Sequence, residues 1–261
     1  MASTIPSAGE VARAPVDWVE ERSGLISVGD YLLFRNVPKD ISWMQTLGSA
    51  LLTTFLVQAI TGVILAMYYH PDPDGAFQSI RYITDDATWG WLVRGMHKWG
   101  SSVFVILLYF HMGRVFLMGS YKYPREMTWL TGAVLFLMVM FMSLTGYLLV
   151  FDQRAYWASV VAININGTAP ILGPYIAEFL RVGPVIGQST ISRFYSLHML
   201  AVPGGIIAFI TLHLWLVVRL GVTSPPWSKT AAGAPWLEDE EPEQPARKGL
   251  VEPAPRGGAA R

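Results

Sequence analysis

The chain has 261 residues; 52 % are hydrophobic and 15 % charged, against about 25 % charged in typical soluble domains. Lys plus Arg and Asp plus Glu both total 19, so no basic excess points to nucleic acid as a partner. There is no Cys, which excludes disulfides, thiolate metal sites, Cys nucleophiles and thioether-attached cofactors. A chain this apolar is read as an all-α membrane protein.

In chain order, residues 1–40 read as a cytoplasmic arm. It has no apolar core of signal-peptide type and carries Glu10, Asp17, Glu20 and Glu21. Asp17 to Leu33 is predicted to form an amphipathic helix lying on the membrane surface. Ile41 to Tyr69 contains no Asp, Glu, Lys or Arg, and neither do Met127 to Phe151 and Phe194 to Val218. Each is long enough for a span, which needs about 20 residues. A further span, Trp99 to Met118, is apolar except for His111 and Arg114. Ala155 to Ala177 is also uncharged, but it holds Asn164, Asn166, Gly167, Pro170, Gly173 and Pro174. Backbone broken that way is not tolerated in bare lipid, so this stretch is predicted to form one or two short helices at the membrane surface. Residues 41–223 thus form a four-helix transmembrane domain, and 224–261 a Pro-, Ala- and Glu-rich solvated tail.

With four spans the arm, the loop between spans two and three, and the tail share one side. That side carries 13 of the Lys and Arg residues and the other carries six, which places both termini in the cytoplasm of a bacterium. The tail supplies five of the 13.

Four of the five His lie in two spans: His97 and His111 in the second, His198 and His213 in the fourth. Ionisable groups inside a span are costly and point to function. His97 and His111 are 14 residues apart, so they share a helix face about 21 Å apart along the axis. His198 and His213 are 15 residues apart, which alone turns the second about 60° off the first. A kink at Pro203 is expected to absorb the extra residue. Both spans run in the same direction, so His97 meets His198 at one depth and His111 meets His213 at the other. Neutral imidazole is a strong axial ligand for haem iron. Zinc fits less well, because each site offers two ligands and no neighbouring carboxylate. Gly48 and Gly62 in the first span, and Gly132 and Gly146 in the third, repeat the 14-residue period. Such glycines allow a porphyrin to approach the backbone; small-residue helix packing is the other reading of one such pair.

Arg94 precedes His97 by one turn and Arg114 follows His111 by one. They suit haem propionates at either surface, or act as snorkelling boundary charges. His70, in YYHPDP, is placed at the surface with no ligand role.

The segments GSALLTTFLVQAITGVILAMYY, RGMHKWGSSVFVILLYFHMGR, GSYKYPREMTWLTG and GQSTISRFYSLHMLAVP resemble cytochrome b, the haem subunit of quinol-oxidising complexes. WVEER, GYLLVFDQRAYWA and the 15-residue His spacing resemble its short form, cytochrome b6. The resemblance covers residues 16–228. It implies a four-helix bundle holding two haems. His97 and His198 would ligate the outer haem, and His111 and His213 the cytoplasmic one. Gln58, Arg94, Arg114 and the four glycines would line the sites. Cytochrome b6 carries a Cys before its first haem glycine. Here that position is Thr46, so two non-covalent haem b and no covalent haem c are expected. Val150-Phe151 stands where the family has Pro-Trp, and Val218 where it often has a basic residue. The family's Pro-Glu-Trp-Tyr motif is absent, as in split versions that carry it on a separate subunit.

The resemblance implies a subunit of a quinol:cytochrome c oxidoreductase, or of one using a plastocyanin-like acceptor. It would carry electrons from an outer quinol-oxidation site to a cytoplasmic-side quinone site and would not be active alone. Expected partners are a Rieske iron–sulfur protein, a subunit with the remaining cytochrome b helices, a c-type cytochrome, quinone or quinol, and a second copy in a dimeric complex. The expected location is the bacterial inner membrane. The alternatives are a di-haem membrane anchor of a dehydrogenase or hydrogenase, and a transporter-like bundle without haem.

Overall fold

A computed structural model describes residues 8–24, 26–27, 42–221 and 223, with side chains from residue 15 onward. The predicted tail and the arm positions Arg35 and Lys39 lie outside the described residues.

The described residues are helical, with no strand among them. They form α1 (Ala8–Ser23), α2 (Leu47–Ala66), α3 (Ala76–Asp85), α4 (Gly90–Leu117) and α5 (Glu126–Leu148). After these come α6 (Gln153–Gly167), α7 (Gly173–Arg181), α8 (Gln188–Ser196) and α9 (Val202–Leu220). A 3₁₀ turn at Trp43–Thr46 leads into α2, and a π turn at Leu197–Ala201 joins α8 to α9. Among the described residues, four runs are long and apolar enough to cross a membrane: Trp43–Ala66, Gly90–Leu117, Glu126–Leu148 and Gln188–Leu220. The shortest has 23 residues, about 35 Å of helix against a hydrocarbon layer of about 30 Å. The protein is therefore a multi-pass membrane protein.

α2 packs mainly on α4, and α5 on α9. Between the two histidine levels sits an apolar layer of Leu51, Leu108, Val139, Val202 and Ile206, with Phe55, Phe104 and Phe136 against it. Outward-facing side chains of the spans are apolar and exposed, among them Leu56, Ile60, Ile106, Phe110 and Leu137. Lipid or partner helices can cover such a surface, whereas water would not. A second cluster (Leu148, Ile163, Leu180 and Phe194) seats α6, α7 and α8 on the end of α5. The Asn-, Gly- and Pro-rich stretch thus forms two short helices as expected. Asp152 starts α6 by accepting a hydrogen bond from the Ala155 amide at 2.8 Å, which satisfies one of the helix's free donors.

Three details differ from the sequence expectation. The second span starts at Gly90 rather than Trp99; Arg94 and Lys98 occupy its first turns, where a search for charge-free sequence stops short. Gly90 is needed there, because a Cβ on it would collide with the Ile83 carbonyl as α3 turns into α4. The extra residue between His198 and His213 is taken up in the π turn, where the Val202 amide donates to the Leu197 carbonyl. Pro203 has no N–H, so a widened turn directly ahead of it shifts the register by one residue without a break. The arm helix begins earlier than predicted and ends at Ser23, since Gly24 adopts φ +63°. Its predicted continuation through residues 28–33 lies outside the described residues. The Glu20 carboxylate accepts from the Ile26 amide at 2.8 Å and from Ser27. The Ser27 hydroxyl, above all, holds that carboxyl below its ordinary value.

Candidate functional site

The two long helices bring His97 of α4 against His198 of the π turn. Their ring centres are 6.4 Å apart and their planes 77° from parallel. A metal bonded to a nitrogen of each ring, at about 2.0 Å, would hold the ring centres roughly 6.4 Å apart. That spacing fits one metal held between the two imidazoles.

The second pair lies one layer away. His111 and His213 line a cavity of about 310 Å³, together with Gly48, Gly132, Arg114 and Arg125. Arg114 is buried, at 9 % exposure. Its Nη2 donates to the Thr223 hydroxyl at 3.5 Å, and the Arg125 Nη2 donates to the Leu220 carbonyl at 3.0 Å. The Nε atoms of both, and the Thr128 hydroxyl, are buried without a partner. Buried guanidinium donors left open in this way suit an anionic group in the cavity. Among the described residues, neither arginine pairs with a carboxylate.

Each of the four glycines faces one of the four histidines. A Cβ on Gly62 would stand 3.2 Å from the Cε1 of His97, and one on Gly132 would stand 3.3 Å from that of His213. The corresponding distances are 2.5 Å for Gly146 and His198, and 3.5 Å for Gly48 and His111. In the structure these glycines make room for the imidazole ring of the facing histidine. Gln58 crosses from α2 to α4, where its Nε2 donates to the Met96 carbonyl at 3.5 Å. It also fills the space where Gly100 lacks a side chain. Arg94 is half-buried on α4 and lies outside the cavity at His111 and His213. Thr46 donates to the Trp43 carbonyl at 2.6 Å. His70 is exposed beyond the end of α2.

Sequence reasoning missed the three threonines beside the glycines. The Thr61 hydroxyl lies 2.9 Å from the Nδ1 of His97, Thr131 3.0 Å from that of His213, and Thr145 3.1 Å from that of His198. The signal was available: Thr-Gly stands at 61–62, 131–132 and 145–146. Arg125 and Thr223 were also missed. They come from the loop before α5 and from the segment after α9, and only packing joins them.

The donor set and spacing fit haem: paired imidazoles, ring-facing glycines, and arginines with buried, unpartnered Nε atoms able to take carboxylates. A family model described as "Cytochrome b/b6/petB" matches residues 33–221. The chain is 38 % identical over 209 residues to a protein named cytochrome b6 from Synechococcus elongatus, covering 80 % of this chain and 97 % of that one. It is also 38 % identical to cytochrome b6 of Acaryochloris marina, with the same coverage. Among solved structures, a chain of a hyperthermophilic respiratory Complex III superposes with a TM-score of 0.77 at 29 % identity. That match covers 87 % of this chain and 59 % of the solved chain, so the present chain spans less than two thirds of its length.

Proposed function

The chain belongs to the cytochrome b/b6 family, and on that premise we propose that it is the di-haem subunit of a membrane quinol:cytochrome c oxidoreductase, or of one with a plastocyanin-like acceptor. The observation that carries this reading is the 6.4 Å separation of the His97 and His198 rings across two helices. His97 and His198 hold a haem b nearer the outer surface, and His111 and His213 hold one nearer the cytoplasm. Bound there, the haems supply one-electron redox chemistry at two depths of the membrane.

The chain's own residues do the rest. Gly48, Gly62, Gly132 and Gly146 let each imidazole stand against the neighbouring helix. Arg114 and Arg125 bind propionates from the cytoplasmic haem, and Arg94 binds those of the outer one. Gln58 fixes the α2–α4 contact beside His97. The layer of Phe55, Phe104, Val139 and Ile206 excludes water between the two levels. With no Cys in the chain, no thioether to it can form, so both haems are non-covalent.

The complex also contains a Rieske iron–sulfur protein and a subunit carrying further cytochrome b helices, forms a dimer, and passes electrons to a c-type cytochrome. Residues 41–223 form the haem domain, 1–40 a cytoplasmic arm and 224–261 a cytoplasmic tail, in a bacterial inner membrane. Quinol oxidation needs a proton acceptor within reach of the quinol hydroxyl, and we assign that group to the partner subunit. The purified chain alone then shows no quinol-dependent reduction of a soluble cytochrome, and adding the partner and the Rieske protein restores it.

The test is spectroscopic. The purified complex should show two bis-histidine, low-spin b-type haems on this chain, all extractable by acid acetone. His97→Ala or His198→Ala should remove one haem, and His111→Ala or His213→Ala the other. Four variants that each kept two low-spin haems would refute the ligand assignment.

A further inference from the structure

Three of the four histidines share one arrangement. The hydroxyl protons of Thr61, Thr131 and Thr145 are committed to the backbone of their own helices. Thr61 donates to the Val57 carbonyl at 2.7 Å, Thr131 to Thr128 at 2.9 Å and Thr145 to Met142 at 2.9 Å. With its proton on that carbonyl, each hydroxyl oxygen is placed to accept from the imidazole beside it. A ring held this way carries its proton on Nδ1, which leaves the lone pair on Nε2 for a metal.

His111 has no such neighbour. The residue before its glycine is Leu47, buried at 6 % exposure, where the other three positions have Thr. Among the described residues His111 makes no hydrogen bond, and its ring contacts Gly48 only through the space of the missing Cβ. The asymmetry is therefore confined to one ligand of one level. The His97–His198 pair is held by two threonines, and the His111–His213 pair by one.

We propose that Thr61, Thr131 and Thr145 are positioning residues that fix the tautomer and strengthen the donor power of three haem ligands, and that Leu47 leaves His111 the weakest donor of the four. This rests on the di-haem reading above. A hydrogen bond from Nδ1–H to an oxygen makes the imidazole more basic, and a more basic ligand favours ferric over ferrous iron. Removing such a bond raises the midpoint potential of that haem, and adding one lowers it.

The test uses the assembled complex, with each haem followed separately in a redox titration. In Thr61→Val the haem held by His97 and His198 should shift to higher potential, and the other should stay in place. Thr61→Ser, which keeps the hydroxyl and loses the methyl, should hold the wild-type value, whereas a packing role of the methyl would shift it. In Leu47→Thr the haem held by His111 and His213 should shift to lower potential. If Thr61→Val does not assemble, Leu47→Thr alone decides the matter, because it adds a bond rather than removing one. Both haems present with unmoved potentials in Leu47→Thr would overturn the proposal and leave the di-haem reading intact. Wild-type complex without bis-histidine haem on this chain would instead overturn the reading it rests on.

Discussion

A side chain on residue 146 would place its first carbon 2.5 Å from the Cε1 of His198 and 3.1 Å from both ring nitrogens. α5 and the π turn therefore meet at a distance that only glycine permits. The same measure at the other positions is 3.2 Å for Gly62, 3.3 Å for Gly132 and 3.5 Å for Gly48.

That ordering predicts graded effects of Ala. Gly146→Ala must displace the imidazole or the backbone. The cost belongs at the upper end of the about 1–3 kcal/mol typical of overpacking, and the outer haem should be lost or weakly held. Gly62→Ala and Gly132→Ala should retain haem with shifted spectra. Gly48→Ala should be close to wild type. The check is the haem-to-polypeptide ratio with a reduced-minus-oxidised spectrum for each variant. Loss in Gly48→Ala with full retention in Gly146→Ala would contradict the geometry.

Arg125 and Arg114 converge on the cavity at His111 and His213 from different segments, each with an unpartnered Nε. Arg125→Leu should weaken retention of the haem at His111 and His213 by about 1.5–3 kcal/mol, the range for hydrogen bonds to charged groups. That is roughly a tenfold or larger rise in its dissociation constant. The haem at His97 and His198 should be unaffected. Haem transfer to an apoprotein acceptor, followed for each haem, measures both.

The Tyr69 hydroxyl donates to the Leu149 carbonyl at 2.7 Å, and its ring stacks on Tyr195 with centres 5.6 Å apart. One side chain so ties the end of the first span to the ends of the third and fourth. Tyr69→Phe keeps the stack and loses the bond. The expected loss is about 1 kcal/mol, a fall of about 2–4 °C in Tm for a domain of this size. Tyr195→Phe, whose hydroxyl makes no such link among the described residues, is the control and should stay near the wild-type Tm.

The number of spans, their common directions and the pairing of the histidines were legible in the sequence, because a membrane imposes a one-dimensional rule. Apolar length marks a span, and a 14-residue interval returns a helix to the same face. His97 and His111 therefore identify their own face without any knowledge of neighbours. The four glycines were legible by the same period, although what they face was not.

Tertiary structure decided what depends on the approach of separate helices. That a π turn rather than Pro203 takes up the extra residue before His213 follows from which carbonyl the Val202 amide reaches, and composition does not encode that choice. Thr61, Thr131 and Thr145 become partners of histidines 36, 82 and 53 residues away only when α2 lies on α4 and α5 on α9. Arg125 and Thr223 carry no periodic signal at all. They meet at the cavity beside His111 and His213 because buried polar groups must find partners across the bundle, and no single helix can supply those partners from its own sequence.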